Sequence, residues 1–158
     1  MYAIRSLTEA PEALPSCITW CTREWGIAAG YSRQDWAREF SRIARDPVDE
    51  VFLAFDGDKP VGMVWTVESE GLESHPHLTP WLSCLVVDTD YRDRGVGAAL
   101  VAWAEDHFAR GGDEALYCLT EVPAFYLLLG WEVHDTAQLG RKNVFIMQKP
   151  LREMALAG

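Results

Sequence analysis

The feature that most constrains this chain is the stretch YRDRGVGAAL at residues 91–100. It stands between an apolar run, WLSCLVV, and an amphipathic segment, ALVAWAEDHFAR. The run reads as a largely buried strand over 81–87, and the segment as a helix over 96–110 closed by Gly111-Gly112. A helix that starts at such a turn carries unpaired N–H groups and about half a positive charge. Gly95 and Gly97 remove the side chains that would keep a ligand away from those groups. Arg92 and Arg94 can add charge-assisted hydrogen bonds to the same anion. The turn therefore suits phosphate. In the plainer reading it is a connection that uses glycine for geometry and arginine for solubility.

Such a site is unexpected in a chain with a formal net charge of −10. This balance argues against nucleic acid as a partner, because phosphate backbones need a broad basic surface. A cationic or neutral partner suits the global field better. At 158 residues the chain is long enough for one domain with a sizeable core, spanning 1–158. Hydrophobic residues at 49% and charged residues at 24% are ordinary for a soluble globular protein. No apolar run approaches the roughly 20 residues that span a bilayer, so no membrane partner is expected. The opening MYAIRSLTEAPEAL lacks the layout of a signal peptide, which makes a cytoplasmic location the expectation. Cys17, Cys21, Cys84 and Cys118 form no CxxC pair, and the i,i+4 spacing of the first two reads as one helix face; no metal is expected.

Hydrophobic periodicity and turn residues order the rest. Residues 2–7 suit a short strand, and 11–25 suit a helix with Gly26 as its stop. Ser32 caps a second helix over 32–44, in which Trp36, Phe40 and Ile43 share a face. VFLAFDGDKPVGMVWTV reads as a hairpin around Asp56-Gly57-Asp58. A polar loop over 68–80 precedes the 81–87 strand. ALYCL (115–119) is a strand, PAFYLLLG (123–130) a short helix with Pro123 in its first turn, and WEVHDTAQL with NVFIMQK an antiparallel pair. The order β-α-α-β-β-β-α-β-α-β-β describes a mixed α/β domain.

Among phosphate-binding patterns, the Walker A sequence fails because no GK[ST] follows the turn, and GxGxxG fails at its third glycine, where Leu100 stands. Arg92-Asp93-Arg94-Gly95-Val96-Gly97 resembles the [QR]-x-x-G-x-[GA] loop of the GNAT superfamily of acyl-CoA-dependent N-acyltransferases. LVVDTDYRDRGVGAALVAWAE is laid out like that family's strand, loop and helix, and FYLLLGW at 125–131 resembles its FYxxxG[FW] segment. The resemblance covers nearly the whole chain. It implies a twisted, mostly antiparallel sheet of about seven strands with helices on both faces, and acetyl-CoA as co-substrate.

Site roles follow from the resemblance residue by residue. Backbone groups of Leu85, Val86 and Val87 would pair with the pantetheine arm. The N–H groups along Arg92, Asp93, Arg94, Gly95, Val96 and Gly97 would hold the pyrophosphate. Tyr126 would act as general acid towards the departing thiolate; as an ordinary core tyrosine it would only pack beside Phe125 and Leu129. The implied chemistry is transfer of an acetyl group to a primary amine of a small molecule or peptide by direct attack in a ternary complex. An N–H on the 85–87 strand would stabilise the charge that develops on the thioester oxygen.

The general base does not carry over. Where some family members place Glu or His on the strand before the turn, this chain has Trp81 and Ser83, and where others place glutamate it has Leu119. Glu121, His75, His77, Glu68 or a water chain remain as candidates. Trp103 and Trp131 suit the core. Trp25, Trp36, Trp65 and Trp81 suit either the core or an acceptor cleft that attracts cations. Glu68 and Glu70 could hold an ammonium or form a solvated face. A non-catalytic acyl-CoA-binding regulatory domain is the alternative, and nucleotide binding at a Rossmann-like turn a weaker third. A monomer or a homodimer suits either of the first two.

Overall fold

The computed structural model describes residues 1–151. Its elements are β1 (Ala3–Ser6), α1 (Leu14–Ala29), α2 (Arg33–Ala44), β2 (Glu50–Asp56), β3 (Lys59–Val67), β4 (Trp81–Val87), α3 (Val96–Arg110), β5 (Ala115–Thr120), α4 (Ala124–Leu128), β6 (Glu132–Leu139) and β7 (Lys142–Pro150). Short 3-10 turns occupy Pro11–Ala13 and Thr89–Tyr91. The strands form one seven-stranded sheet in the order β1-β2-β3-β4-β5-β7-β6. Pairing is antiparallel for β1/β2, β2/β3, β5/β7 and β6/β7, and parallel for β4/β5 at Trp81↔Tyr117. The expected fold class and element order are both observed.

Contacts divide the chain into two compact units. The first holds Met1–Thr66 and Cys84–Leu100. In it, Asp56-Gly57-Asp58 turns the β2–β3 hairpin, with Gly57 at φ +60°. Ser32 caps α2: its hydroxyl accepts from the Asp35 N–H, while the Asp35 carboxylate accepts from the Ser32 N–H. These reciprocal bonds satisfy donors that a helix start would otherwise leave unpaired. The helix buries Trp36, Phe40 and Ile43, with Trp36 and Phe40 meeting the Trp65 ring edge-on at 6.4 and 5.1 Å. These tryptophans are therefore core.

The first long helix differs from expectation. Residues 11–13 form the 3-10 turn, and α1 runs to Ala29, with Gly30 as its left-handed cap at φ +69°. Gly26 lies inside the helix. A Cβ there would stand 3.2 Å from the Tyr31 carbonyl oxygen, because the Tyr31 N–H folds back onto the Gly26 carbonyl at 2.9 Å. This glycine admits a close approach and does not end the helix. Cys17 and Cys21 share the fully buried face of α1, as their spacing suggests.

Among the described residues, the second unit holds Val67–Ser83 and 101–151. Leu116, Cys118, Ile146 and Met147 fill its interior from β5 and β7. Trp131 is core as expected, but Trp103 is half-buried and stacks on His107 at 4.9 Å. Glu105, on α3, is buried and faces Lys149 of β7 at 3.5 Å. The same Lys149 ammonium donates to the Leu129 carbonyl at 3.2 Å and so holds the end of α4.

Candidate active site

The first unit contains the glycine turn. After β4 the Asp88 N–H donates to the Val61 carbonyl at 2.8 Å, and the Asp88 carboxylate accepts from the Asp90 N–H at 3.0 Å. The Tyr91 hydroxyl donates to Asp56 at 2.7 Å, tying the turn to the hairpin. Asp93 and Gly95 then adopt left-handed backbone, at φ 62° and 80°. Two such residues so close together reverse the chain sharply, which glycine tolerates and aspartate tolerates better than most. The first helical bond of α3 runs from the Ala99 N–H to the Gly95 carbonyl at 3.0 Å. Helix geometry therefore leaves the N–H groups of Val96, Gly97 and Ala98 without an intrahelical acceptor.

Close packing sets the position of this helix start. A Cβ on Gly62 of β3 would lie 2.9 Å from Val96 Cγ1 and 3.0 Å from the Val86 carbonyl oxygen. Only a glycine lets β3 carry the first turn of α3 so closely. Residues 92–95 stay exposed and Gly97 is half-exposed. The two arginines are held differently. Arg94 lies over the Tyr91 ring at 5.0 Å, while Arg92 donates to Glu24 at 3.0 Å. Part of the Arg92 charge is therefore already answered by a carboxylate.

Within β4, Val86 is buried while Leu85 and Val87 are half-exposed. Cys84, just before them, sits at φ 48°. A non-glycine residue in this region stores roughly 1–3 kcal/mol of strain. The kink re-aims the peptide groups that follow it, and composition carries no signal of it. Trp81 is fully buried, with its indole N–H donating to the Leu78 carbonyl at 2.7 Å.

The second unit contains Tyr126. FYLLLGW folds as a short helix closed by Gly130 at φ +86°, and the Tyr126 carbonyl accepts from both Leu129 and Trp131 N–H groups at 3.0 Å. The Tyr126 ring packs between Phe125 and Trp131, with centroids at 5.1 and 5.3 Å. Its hydroxyl lies near the Cys118 thiol, and the two groups act on each other electrostatically. Burial first, and the thiol second, push the phenol well above the ordinary tyrosine range. Burial also pushes the Cys118 thiol up to about 12. Both groups keep their protons at neutral pH. The Tyr126 phenol is neutral there, and Cys118 has no thiolate with which to act as a nucleophile.

The base candidates lie in varied settings. Glu121 is exposed and faces Lys142 at 3.5 Å. His75 bonds Ser74 through Nδ1 at 2.7 Å and Asp135 through Nε2 at 2.8 Å, and that contact holds the Asp135 carboxyl below its usual range. His77 is exposed, and the Glu68 carbonyl accepts from the Thr79 hydroxyl at 2.7 Å. Glu70 is half-buried, and its charge contributes to the raised Cys118 pKa, which places it near the Tyr126 pair. Among the described residues, no three His, Cys, Asp or Glu side chains gather to hold a metal ion, and no helix is long and apolar enough to cross a membrane.

An antiparallel sheet with one parallel neighbour, a left-handed residue within β4 and a glycine turn opening a helix define a mixed α/β protein. A family comparison makes this specific: residues 12–131 match the acetyltransferase (GNAT) family, and the chain belongs to it. Solved structures agree on the fold. An aminoglycoside 6'-acetyltransferase type Ii is 21% identical with a TM-score of 0.75, covering 94% of this chain and 97% of that one. An aminoglycoside 6'-N-acetyltransferase complexed with coenzyme A is 19% identical with a TM-score of 0.76, over 94% and 97%. A ribosomal-protein-alanine N-acetyltransferase from Brucella melitensis is 21% identical with a TM-score of 0.73, over 94% and 99%. A search of curated proteins by sequence found no match.

Proposed function

We propose that the protein transfers an acetyl group from acetyl-CoA to a primary amine, by direct attack of the amine in a ternary complex. The observation that carries this reading is Tyr126, a buried, protonated phenol in the short helix that resembles the family's acid-bearing segment. The turn fits coenzyme A on local chemistry: exposed, side-chain-poor N–H groups at a helix start, with Arg94 beside them. Arg92 to Gly97 would hold the pyrophosphate, and the half-exposed Leu85–Val87 backbone the pantetheine arm. When bound, the co-substrate supplies an activated thioester.

The protein's own residues do the rest. The peptide groups after Cys84 offer N–H donors to charge that develops on the carbonyl oxygen. Tyr126 gives its phenolic proton to the departing sulfur, and proton donation of this kind contributes about 10²–10⁴-fold. The amine must lose a proton first, since an alkylammonium has a reference pKa of about 10.4; Glu70 joins Glu68, Glu121, His75, His77 and water among its acceptors. The formal charge of −10 favours a cationic or neutral acceptor, either a small amine or a peptide amine. A retained phenolic donor favours catalysis over a purely regulatory acyl-CoA-binding domain. Incubation with acetyl-CoA and a panel of amines, read by mass spectrometry, tests the reading: acetylated cationic or neutral amines are expected, and turnover confined to acidic peptides would refute the electrostatic part.

A further inference from the structure

The first unit contains a cavity of about 370 Å³ that shares no residue with the glycine turn or with the Leu85–Val87 segment. Its volume lies in the range of small-ligand pockets. The floor is apolar, built by Leu7, Leu14, Phe40, Ile43 and Val51. The rim carries three half-buried carboxylates, Asp46, Asp49 and Glu50. Asp46 accepts the Val48 and Asp49 N–H groups, both at 2.8 Å, and these bonds hold its carboxyl below the usual range. It therefore stays anionic.

Two further features sharpen the sign of the site. Helix α2 ends at Ala44, which lines the cavity, and a helix C-terminus adds about half a negative charge. Arg42 acts on Asp46 and Asp49, but its guanidinium is bound to Glu39 at 2.8 Å, and the three rim carboxylates outnumber it. From this cavity we propose a second binding site, for a small organic cation with an apolar body, such as an aralkylammonium. The apolar part seats against Phe40 and Val51, and the ammonium stays at the rim beside Asp49 and Glu50. The site is independent of acetyl transfer.

The probe is benzyltrimethylammonium, whose nitrogen carries no proton and cannot accept an acetyl group. Titration into the ¹⁵N-labelled protein should give saturable shifts at the amides of Leu7, Ala44 and Val51. Ala44→Phe, which fills the cavity from an exposed position, should abolish them. Asp49→Asn with Glu50→Gln should weaken binding by about fivefold or more, each pair contributing up to several-fold. The anion 3-phenylpropionate should not compete. Absence of saturation, equal binding by the anion, or unchanged affinity in folded Ala44→Phe would overturn the site. If that variant does not fold, unchanged affinity in the Asp49/Glu50 variant would overturn it.

Discussion

Tyr126 and Cys118 place a phenol against a thiol in a pocket that keeps a proton on each. Tyr126→Phe keeps the ring packed on Trp131 and removes only the donor. If Tyr126 is the acid, kcat should fall by at least tens of times, while acetyl-CoA affinity changes little. Steady-state kinetics beside thermal unfolding of the same preparation separates this from a packing role, which would leave turnover per folded molecule intact.

The pH behaviour of this residue has a definite sign. Its folded pKa is raised above the ordinary tyrosine value of about 10, so the proton is held more tightly in the folded state. Stability from this group is full below pH about 10 and declines as pH rises beyond it. The kcat profile should therefore show no falling limb from the acid up to about pH 10. Melting temperature should drop more steeply above that pH in the wild type than in Tyr126→Phe. A falling kcat limb near neutrality that vanishes in the Phe variant would reverse the assignment.

Lys149 supports the same helix from below. Lys149→Met removes the partner of buried Glu105 and the donor to Leu129. Breaking a buried pair costs roughly 3–5 kcal/mol. The carboxyl of Glu105 is already raised by burial, so without Lys149 the loss should grow as pH rises from about 4.5 towards neutrality. Adding Glu105→Gln should restore most of the stability. Urea unfolding at two pH values reads both effects.

The glycine turn makes a separate demand. Replacing Gly97 with Leu should weaken acetyl-CoA binding severely in a folded protein, because a side chain at the helix start blocks approach to the N–H groups. Gly62→Val should instead destabilise the domain, since its Cβ would collide with Val96 and the Val86 carbonyl. Calorimetry and thermal unfolding on both variants distinguish a ligand-facing glycine from a packing one. Unchanged affinity in folded Gly97→Leu would remove the cofactor role.

What the sequence makes legible is what local signals encode. The Asp-Gly hairpin, the Ser32 cap, the glycine turn and the FYLLLGW segment each carry their geometry within a few residues, and each folds at the position its residues indicate. Other features depend on partners distant in the chain. Gly26 has the look of a stop, yet Tyr31 folds back onto it, and Arg92 has the look of a free cation, yet Glu24 reaches it. Nothing near Cys84 announces its left-handed backbone, and the Cys118 contact with Tyr126 joins two elements. The FYLLLGW segment is legible in its own residues; the thiol near its tyrosine is not.

Amine-dependent thiol release from acetyl-CoA tests the central claim most directly. Free coenzyme A is followed with a thiol reagent, with and without each amine, for the wild type and Tyr126→Phe. Release is expected to require an amine, to saturate with it, and to fall by at least tens of times in the Phe variant. Tight acetyl-CoA binding with no amine-dependent release across the panel would contradict it, and would make this a binding domain.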